Sequence, residues 1–400
     1  MGELSSTERE AVERAAAEPM LDQVLSWSSI NSGSRNLDGL KVIAGVLADE
    51  LAGLPGEVSL REPTRVDAVD AAGKAIELPH GQNLHLRARP EAPVQLLFTG
   101  HMDTVFAADH AFQETRWLDG ATLNGPGVAD MKGGIAVMLA ALKTVEASGA
   151  NFGYEIVINS DEEVGSLGSA ALIAEAARGK RAALTYEPSA LPDGTLAGAR
   201  PGSGNFAITI HGRSAHAGRN PEDGRNAILA ASDLALRFEA MRRAGLSVNP
   251  ARIDGGSPTN VVPDLAVLRV NLRPATPELE ADAQHLIQEA IAAVASERDV
   301  RIDLSGGFAR PPKPMTADME ALFSLVKRAG ADLGQSIGWQ PSGGVCDGNN
   351  IAACGVPVVD TMGVRGGKIH SMEEFLIVES LKERAALSAL TILRLAGGER

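Results

Sequence analysis

The chain has 400 residues, 44% of them hydrophobic, and a formal net charge of −14 at pH 7. Its length exceeds that at which one hydrophobic core keeps growing, which favours two domains, and its hydrophobic content excludes wholesale disorder. The acidic charge argues against nucleic acid or an anionic membrane as a partner, because both bind basic surfaces. The two cysteines, Cys346 and Cys354, are too few for a disulfide framework or a zinc site built on cysteine pairs.

The segment MGELSSTEREAVERAAAE at the start of the sequence is polar and acidic, whereas a signal peptide begins basic and continues apolar. No apolar run in the sequence approaches the roughly 18 residues that are needed to cross a bilayer. We therefore expect a cytoplasmic protein that binds neither a membrane nor nucleic acid.

The first half of the chain alternates between helical and strand patterns. Apolar residues recur at helical spacing in two early segments, and short apolar runs that end in turn residues indicate buried strands. Strands that alternate with helices are typical of the α/β class, with a mostly parallel sheet covered on both faces. The predicted helices are Glu8–Ser26, Leu37–Leu54, Gly133–Ala147 and Ser169–Ala177, and the predicted strands are Val94–Phe98, Glu155–Asn159 and Ala182–Tyr186.

The pattern changes after Arg200-Pro201-Gly202, where strictly alternating strands begin. The order that follows is β-α-β-β-α-β, as in a ferredoxin-like sandwich. Its elements are the strand Phe206–His211, the helix Arg225–Arg243, the strands Leu246–Asp254 and Ala266–Leu272, the helix Pro277–Glu297 and the strand Val300–Leu304.

The proline-rich stretch Arg310–Pro314 is typical of an exit linker. After it, strand and helix patterns of the first kind resume, through Val356–Thr361 and Leu376–Leu395. The simplest interpretation is one α/β domain, formed by residues 1–200 and 313–400, that an inserted α+β domain interrupts at residues 201–312.

A first candidate for a metal ligand directly follows a predicted strand. The segment LLFTGHMDTV places His101 and Asp103 on the loop after Phe98. Open α/β sheets bind their ligands at the carboxyl ends of their parallel strands. An imidazole and a carboxylate at this spacing can act as a metal ligand and the group that orients it. A surface histidine beside a turn-forming aspartate fits this motif equally well.

A second candidate, Asp130, lies in the glycine-rich segment NGPGVADMKGG before a helix of small residues. Glycines allow the backbone to approach a ligand closely. A phosphate-binding loop around Lys132 is the alternative, but the Gly-Lys-Ser/Thr signature is absent and Asp130 would repel a phosphate.

Three further loops offer carboxylates or imidazole. EIVINSDEEVGS ends a strand in Asp161, Glu162 and Glu163, TYEPS contains Glu187, and GVPVVDTMGVRGGKIHS contains His370. Adjacent carboxylates repel each other unless a cation lies among them, although a solvated acidic turn is the commoner outcome for such a run alone. Five such loops can converge on one edge of a sheet. Two imidazoles and three carboxylates suit two zinc or cobalt ions about 3.5–4 Å apart, bridged by one carboxylate.

These motifs, in register from His101 to the last helix, resemble those of a metallopeptidase family. Its members include aminoacylase, acetylornithine deacetylase, succinyl-diaminopimelate desuccinylase and the folate-cleaving glutamate carboxypeptidase. HMDTV and GPGVAD look closest to the glutamate carboxypeptidase branch. The resemblance implies a fold of the zinc exopeptidase type, in which a mixed, mostly parallel sheet carries an inserted lid or dimerisation domain.

The resemblance also implies a set of metal ligands. His101 and Glu187 would bind one zinc ion, Glu163 and His370 would bind the other, and Asp130 would bridge the two ions. Cobalt or manganese could substitute for zinc.

The family pattern further implies that Asp103 orients His101 and that Glu162 is the general base. Glu162 would take a proton from a metal-bridging water, which becomes the attacking hydroxide, and would later deliver it to the leaving amine. A cis peptide bond is expected between Asp130 and Met131.

Three residues of the inserted domain match substrate-contacting positions of the family. HGRSAHAG places His216 where relatives polarise the scissile carbonyl, in dimeric relatives from the partner subunit. SPTNVVPD places Asn260 at a substrate contact, and RVNLRP places Arg273 where an arginine grips the substrate carboxylate with its planar fork. Without the resemblance, His216 would be interpreted as a turn cap and Arg273 as a surface ion pair.

Two loops bear on the choice of substrate. SGGVCDGNN matches a glycine-rich substrate loop that includes Asp347, but it has Val345-Cys346 where relatives often have Thr and Ser. Arg365 and Lys368 could favour an acidic side chain such as Glu or Asp, and a solvated loop is an equal alternative. The remaining histidines fit no ligand position and are expected to be structural or exposed: His80, His85, His110, His211 and His285.

The leading hypothesis is a homodimeric two-metal hydrolase that cuts an N-acyl amino acid or short peptide at an amide bond next to a free carboxylate. One alternative is a catalytically silent family member that binds an amino-acid conjugate or a protein partner. The complete ligand set argues for an enzyme. A metal-dependent phosphoesterase is disfavoured by the acidic charge and the missing phosphate loop.

Overall fold

The computed structural model describes residues 4–399. Within that range, no helix combines the length and the apolar character needed to cross a membrane. The α-helices of these residues are, in chain order, Ser6–Ala17 (α1), Met20–Ser28 (α2), Leu37–Leu51 (α3), Gly133–Ala147 (α4), Ala170–Ala177 (α5), Ala227–Ala240 (α6), Pro277–Arg298 (α7), Ala317–Asp332 (α8), Asp347–Ala353 (α9) and Glu379–Ala396 (α10).

Among the described residues, the strands form one six-stranded sheet, two four-stranded sheets and two two-stranded pairs. In chain order they are Glu57–Arg61 (β1), Val66–Val69 (β2), Ala75–Leu78 (β3), Asn83–Ala88 (β4), Gln95–His101 (β5), Arg116–Trp117 (β6), Thr122–Asn124 (β7), Gly153–Asn159 (β8), Ala182–Thr185 (β9), Leu196–Ala197 (β10), Ser203–His211 (β11), Leu246–Gly255 (β12), Leu265–Pro274 (β13), Arg301–Arg310 (β14), Trp339–Gln340 (β15), Val358–Val359 (β16), Gly366–Gly367 (β17) and Phe375–Ile377 (β18).

The larger sheet is mixed, with the strand order β1-β4-β8-β5-β9-β16. Strands β8, β5, β9 and β16 are parallel, whereas β4 is antiparallel to both of its neighbours. The register pairs His101 with Asn159 and Thr99 with Thr185, so the carboxyl ends of the three central strands meet at one edge. This agrees with the α/β class predicted from the sequence.

Both faces of this sheet are covered by helices. Leu96 and Phe98 pack into the larger hydrophobic core, while Leu97 between them packs into a separate cluster on the opposite face. Strands buried on both faces are continuously apolar rather than alternating, which is why β5 and β8 were recognisable in the sequence. Helix α4 is apolar around its circumference, as expected for a helix inside the core.

The second main sheet has the strand order β12-β13-β11-β14 and its own hydrophobic core, to which α6 and α7 contribute. This is the arrangement expected for a ferredoxin-like unit. A hairpin formed by β2 and β3 reaches this sheet from the larger unit, and Arg269 donates a hydrogen bond to the carbonyl of Val69 at 2.9 Å.

The chain enters and leaves this second unit at two residues that pair with each other. Arg200 and Lys313 exchange two backbone hydrogen bonds of 2.9 Å each. Both side chains also bind the buried carboxylate of Asp360, through Nε of Arg200 at 2.8 Å and Nζ of Lys313 at 2.7 Å. The domain limits at residues 201 and 312 stay predictions.

Several elements differ from the sequence-based expectation. The single helix predicted over Glu8–Ser26 is two helices, because Pro19 has no N–H to continue the first one. Strand β14 extends to Arg310, so this residue lies at the end of a strand and not in the linker. The sequence patterns also missed the edge strand β1 and its neighbour β4.

Candidate metal centre

The carboxyl edge of the parallel strands positions four of the predicted site residues. His101 is the last residue of β5, which extends beyond Phe98, so this histidine ends the strand and does not lie on the loop predicted from the sequence. Glu162 and Glu163 follow β8, and Glu187 lies two residues beyond β9. Because β8, β5 and β9 are adjacent, these side chains project into one space.

Asp130 and His370 reach this space from other directions. Asp130 lies on an irregular turn just before α4, and the peptide bond to Met131 is cis, as the resemblance predicted. A Cβ atom on Gly134 would lie 1.9 Å from the carbonyl of Tyr186, so only glycine allows α4 to approach this edge so closely. His370 lies on the loop between β17 and β18.

The first group of potential metal ligands consists of His101, Asp130 and Glu187. Nε2 of His101 lies 3.1 Å from Asp130 Oδ1 and 3.7 Å from Glu187 Oε2. All three side chains are almost completely withdrawn from solvent.

The second group consists of Asp130, Glu163 and His370. Nε2 of His370 lies 3.3 Å from Asp130 Oδ2 and 3.0 Å from Glu163 Oε2. Among the described residues, these two groups are the sets whose ligand atoms lie close enough together to hold a metal ion, within 4.8 Å of one another. The two groups share Asp130, whose Oδ1 faces His101 and whose Oδ2 faces His370.

The tautomer of His101 suits metal binding. Its Nδ1 lies 3.0 Å from the carbonyl oxygen of Asp103, and a carbonyl can only accept, so Nδ1 donates. In the neutral ring, Nε2 then carries a lone pair and faces the carboxylates of Asp130 and Glu187. Ionised carboxylates can only accept hydrogen bonds, so no hydrogen bond forms between these groups. In addition, Glu187 Oε1 is buried and has no hydrogen-bond partner. A divalent cation would satisfy all of these electron pairs, so the residues fit a metal site.

The electrostatics of these side chains support the same conclusion. Burial raises the pKa of Glu163 to about 8 and that of Glu187 well above its usual range. Burial opposes the charged form of His101, but the nearby carboxylates, Glu187 first among them, outweigh it and raise its pKa well above the usual value. Hydrogen bonds to Asp130 and Glu163 raise the pKa of His370 to about 11. The chain therefore assembles more negative charge here than it neutralises.

Glu162 lies beside this cluster and is bound by an arginine that the sequence patterns did not single out. Nη2 of Arg310 lies 2.7 Å from Glu162 Oε1, donates to the Glu162 carbonyl at 2.8 Å, and donates to Ser166 Oγ at 2.8 Å. Burial raises the pKa of Glu162 to about 7. The sequence did not predict a role for Arg310 in the site, because its proline-rich surroundings are typical of a linker.

Asp103 is completely buried beneath the acidic loop. Its carboxylate accepts hydrogen bonds from the backbone N–H groups of Glu162 at 3.1 Å and Glu163 at 3.2 Å, and from the Ser34 hydroxyl at 2.7 Å. It also lies 3.4 Å from Nδ1 of His101. The carboxylate therefore holds the loop after β8 in place, in addition to its predicted position next to His101.

Two cavities meet at Glu162 and His370. One, of about 650 Å³, is polar and lies between the acidic loop and the second sheet. It contains Arg273 and Arg310, and the Nε atom of Arg310 is buried without a hydrogen-bond partner. The other cavity, of about 590 Å³, has mostly apolar walls. These walls include Pro188, Ala190, Pro192, Val345 and Phe375.

His216 and Asn260 are not brought to the cluster within this chain. Both are exposed and line neither cavity. They lie on neighbouring loops, where the Ala217 N–H donates to the Asn260 carbonyl at 2.9 Å and the Gly218 N–H donates to His216 Nδ1 at 3.1 Å. Arg273, in contrast, is tethered within the polar cavity, with Nη1 donating to the Gly343 carbonyl at 3.1 Å.

The residues singled out for substrate choice have different positions. Arg365 lines neither cavity, because its guanidinium group binds Glu383 at 2.8 Å and the carbonyl of Pro192 at 2.9 Å. Lys368 does line the apolar cavity. Asp347 is buried in a hydrogen-bond network and does not face either cavity. Neither metal-ligand group contains any of the histidines that the sequence left unassigned.

Residues 97–394 match the model of peptidase family M20/M25/M40. The chain belongs to this family. As a member of it, the protein is a metal-dependent hydrolase that acts on amide bonds and binds a divalent metal.

Two curated relatives illustrate the chemistry of the family. Carboxypeptidase G2 of Pseudomonas sp. (strain RS-16) is 29% identical over 381 residues, which cover 93% of this chain and 88% of that protein. A succinyl-diaminopimelate desuccinylase of Rhodopseudomonas palustris (strain HaA2) is 29% identical over 350 residues, which cover 76% of this chain and 84% of the relative.

Solved structures also resemble this chain. A dinuclear metal binding peptidase of the M20 family from Bacillus subtilis superposes with a TM-score of 0.62, covering 94% of this chain and 98% of the other. At 16% sequence identity, this likeness shows a shared fold.

Proposed function

We propose that this protein is a two-metal carboxypeptidase or deacylase. It would hydrolyse the amide bond of an N-acyl amino acid or of a C-terminal residue that bears a free carboxylate. The observation that carries the proposal is the pair of ligand groups that share Asp130 and lie beside Glu162. The names of the two curated relatives, a carboxypeptidase and a desuccinylase, agree with this substrate class.

The donor set favours two zinc ions, with cobalt or manganese as substitutes, because it combines imidazole with carboxylate and contains no thiolate. His101 and Glu187 would hold one ion, Glu163 and His370 the other, and Asp130 both. Two such ions would supply Lewis acidity to the scissile carbonyl and lower the pKa of water in the site. The solved relative from Bacillus subtilis is itself described as a dinuclear metal binding peptidase.

Glu162 would be the general base of the reaction. Glu162 is buried, lines both cavities and directly precedes the proposed metal ligand Glu163 in the sequence. It would accept a proton from the attacking water and then donate that proton to the leaving amine, as a positioned carboxylate can. Arg310, bound to Glu162 at 2.7 Å, would keep the carboxylate in one orientation during these transfers.

The polar cavity would receive the residue with the free carboxylate. Arg273 and Arg310 both line this cavity, and a guanidinium group binds a carboxylate through two parallel hydrogen bonds. The apolar cavity on the other side of Glu162 would then receive the acyl group or the preceding residue.

His216 and Asn260 would serve the active site of a second subunit, with the second sheet and its helices as the interface of a homodimer. Their exposure and their absence from both cavities support this arrangement. Helix α6 offers apolar surface for such an interface, since Leu229 is 52% exposed and Leu236 is 72% exposed.

The variant Glu162→Gln tests the assignment of the base. We expect it to bind two metal ions and to lose turnover by roughly 10²–10⁴-fold, because an amide cannot accept the proton. Metal content by elemental analysis, together with rates on a panel of N-acylated amino acids and dipeptides, provides the measurement. Glu175→Gln, which alters an exposed glutamate, should behave like the parent protein.

Full activity of Glu162→Gln would exclude this residue as the base. A parent protein that binds two ions and hydrolyses no member of the panel would contradict the proposed substrate class.

Complementation between two inactive variants tests the proposed dimer. When His216→Ala and Glu162→Gln are mixed and allowed to exchange subunits, one of the two sites in each mixed dimer contains both intact residues. Activity should therefore return to about a quarter of the parent value if the subunits exchange freely. A monomeric mass in solution, or no recovery in a mixture shown to contain mixed dimers, would contradict a shared site.

A further inference from the structure

We propose that Glu374 is a positioning residue, which fastens the loop that carries Asp130 to the loop that carries His370. This inference depends on the proposed two-metal site, because it concerns the shape of that site. Glu374 would hold Asp130 and His370 at the spacing that the second ligand group needs before any ion arrives.

The side chain of Glu374 is turned inward, and the residue is only 1% exposed. Its two oxygens accept three backbone hydrogen bonds from the turn that leads to α4. Oε1 accepts from the N–H groups of Ala129 at 3.0 Å and Asp130 at 3.1 Å, and Oε2 accepts from that of Gly127 at 3.2 Å. One carboxylate therefore fixes the backbone on both sides of Ala129 and at Asp130 itself.

The backbone of Glu374 is tied to the loop that bears His370. Its N–H donates to the carbonyl of Ser371 at 3.1 Å, which closes a short turn directly after His370. Its carbonyl accepts from Nδ2 of Asn124 at 2.6 Å, and the same amide group donates to the Met372 carbonyl at 3.1 Å. Hydrogen bonds thus connect Glu374 through its backbone to the loop that bears His370 and through its side chain to the turn that bears Asp130.

The chemistry of this contact requires a carboxylate. Three N–H groups point at it, and a carboxylate has only lone pairs to offer, whereas the amide of a glutamine would turn N–H donors towards N–H donors. The turn cannot take these bonds from its own residues, because its backbone is not helical at Asp130 and Met131.

A second buried carboxylate acts in the same way on the other side of the cluster. Asp103 accepts the backbone N–H groups of Glu162 and Glu163, which fixes the loop after β8. Glu374 therefore binds the backbone of the turn that carries Asp130, and Asp103 binds the backbone of the acidic loop that carries Glu162 and Glu163. Groups that orient metal ligands from outside the coordination sphere typically change metal affinity or activity by 10–100-fold when they are mutated.

The test compares Glu374→Gln with Glu373→Gln. Glu373 is the adjacent residue, is exposed, and lies 3.6 Å from the surface residue Lys368, so it is a matched control. Each protein is stripped of metal and titrated with Zn²⁺ in the presence of a competing chelator. We expect Glu374→Gln to bind at least one of the two ions about 10–100-fold more weakly, while Glu373→Gln matches the parent protein.

Steady-state kinetics at saturating Zn²⁺ give a second readout. The kcat of Glu374→Gln should fall by about tenfold or more with KM changed much less, because the cavities that bind the substrate do not contain Glu374. Unchanged Zn²⁺ affinities together with an unchanged kcat would overturn the inference.

Glu374→Asp separates positioning from folding. It retains the charge but shortens the reach, so its Zn²⁺ affinity should lie between those of the parent and Glu374→Gln. If Glu374 only stabilised the fold, both metal-free variants would melt at lower temperature and yet bind Zn²⁺ as the parent does, which would overturn the inference. A parent protein that binds fewer than two ions would instead contradict the proposed function.

Discussion

Two clusters of buried charge lie near each other in this protein, and they are built in opposite ways. One joins Arg200, Lys313 and Asp360, where two cations share a single carboxylate at distances of 2.7–2.8 Å. The other is the candidate metal centre, where carboxylates outnumber the imidazoles between them and Glu187 Oε1 has no hydrogen-bond partner. In the first cluster the chain supplies the countercharge of the carboxylate, and in the second it does not supply enough.

The pKa values of the buried carboxyl groups differ between the two clusters. Burial alone would raise the pKa of Asp360, but Arg200 and Lys313 outweigh it and lower the pKa to about 2. Glu163 is also buried, and its pKa rises to about 8 because burial is reinforced by the charge of Asp130. Two largely buried carboxyl groups thus have pKa values shifted in opposite directions, and the sign depends on whether the chain supplies the countercharge. The cluster that lacks it is the one suited to bind cations.

The largest expected effect on stability comes from Asp360→Asn in the cluster of Arg200, Lys313 and Asp360. Removing the carboxylate leaves two buried cations without a partner, which typically costs about 3–5 kcal/mol in the free energy of unfolding. Denaturant unfolding, followed by circular dichroism, measures this loss. Asp303→Asn, at an exposed pair with His211, should change the stability by less than about 1 kcal/mol.

The pH dependence of that loss sharpens the comparison. The folded-state pKa of Asp360, about 2, lies below the unfolded value of about 3.9, so its stabilisation is present above roughly pH 4. It is lost as the pH falls towards 2. The stability difference between the parent and Asp360→Asn should therefore shrink in acid, and a difference that stays constant would show that charge is not the cause.

A smaller effect is expected when metal is added to the other cluster. Zn²⁺ that binds only the folded protein should raise its stability by about 2.7 kcal/mol at 100 times the dissociation constant. Thermal or denaturant unfolding with and without Zn²⁺ measures this increment. If the two clusters act independently, Asp360→Asn should gain the same increment as the parent. A much smaller gain would mean that the two clusters act as one.

The parts of the fold that the sequence predicted share one property, which is an unambiguous hydrophobic pattern. Strands β5 and β8 are buried on both faces, and helix α4 was predicted with its exact ends. Strands β1 and β4 lie towards the edge of the sheet, where β1 is largely solvent-facing, and their residues mix polar and apolar types. The helix breaks at Pro19 because proline has no N–H group to continue the first helix, although the apolar spacing is helical on both sides.

For the candidate site, the sequence indicated which residues meet but not what supports them. His101 ends one parallel strand, and Glu163 and Glu187 follow two adjacent ones, so topology alone predicts that they converge. Arg310 and Glu374 reach the site through tertiary contacts that have no local signature, one at the end of a long strand and the other next to an exposed glutamate. Such contacts depend on the register of distant segments, which hydrophobic periodicity does not encode.

The backbone pairing of Arg200 with Lys313 has a consequence for the order of folding. These residues are far apart in the sequence, and closing a long loop costs conformational entropy before distant strands can pair. Once β11–β14 have formed their own sheet, the two chain crossings are hydrogen-bonded neighbours. The pairing of Arg200 with Lys313 therefore shortens the loop that must close before the edge strand β16 can pair with β9, which lowers the entropic cost of that step.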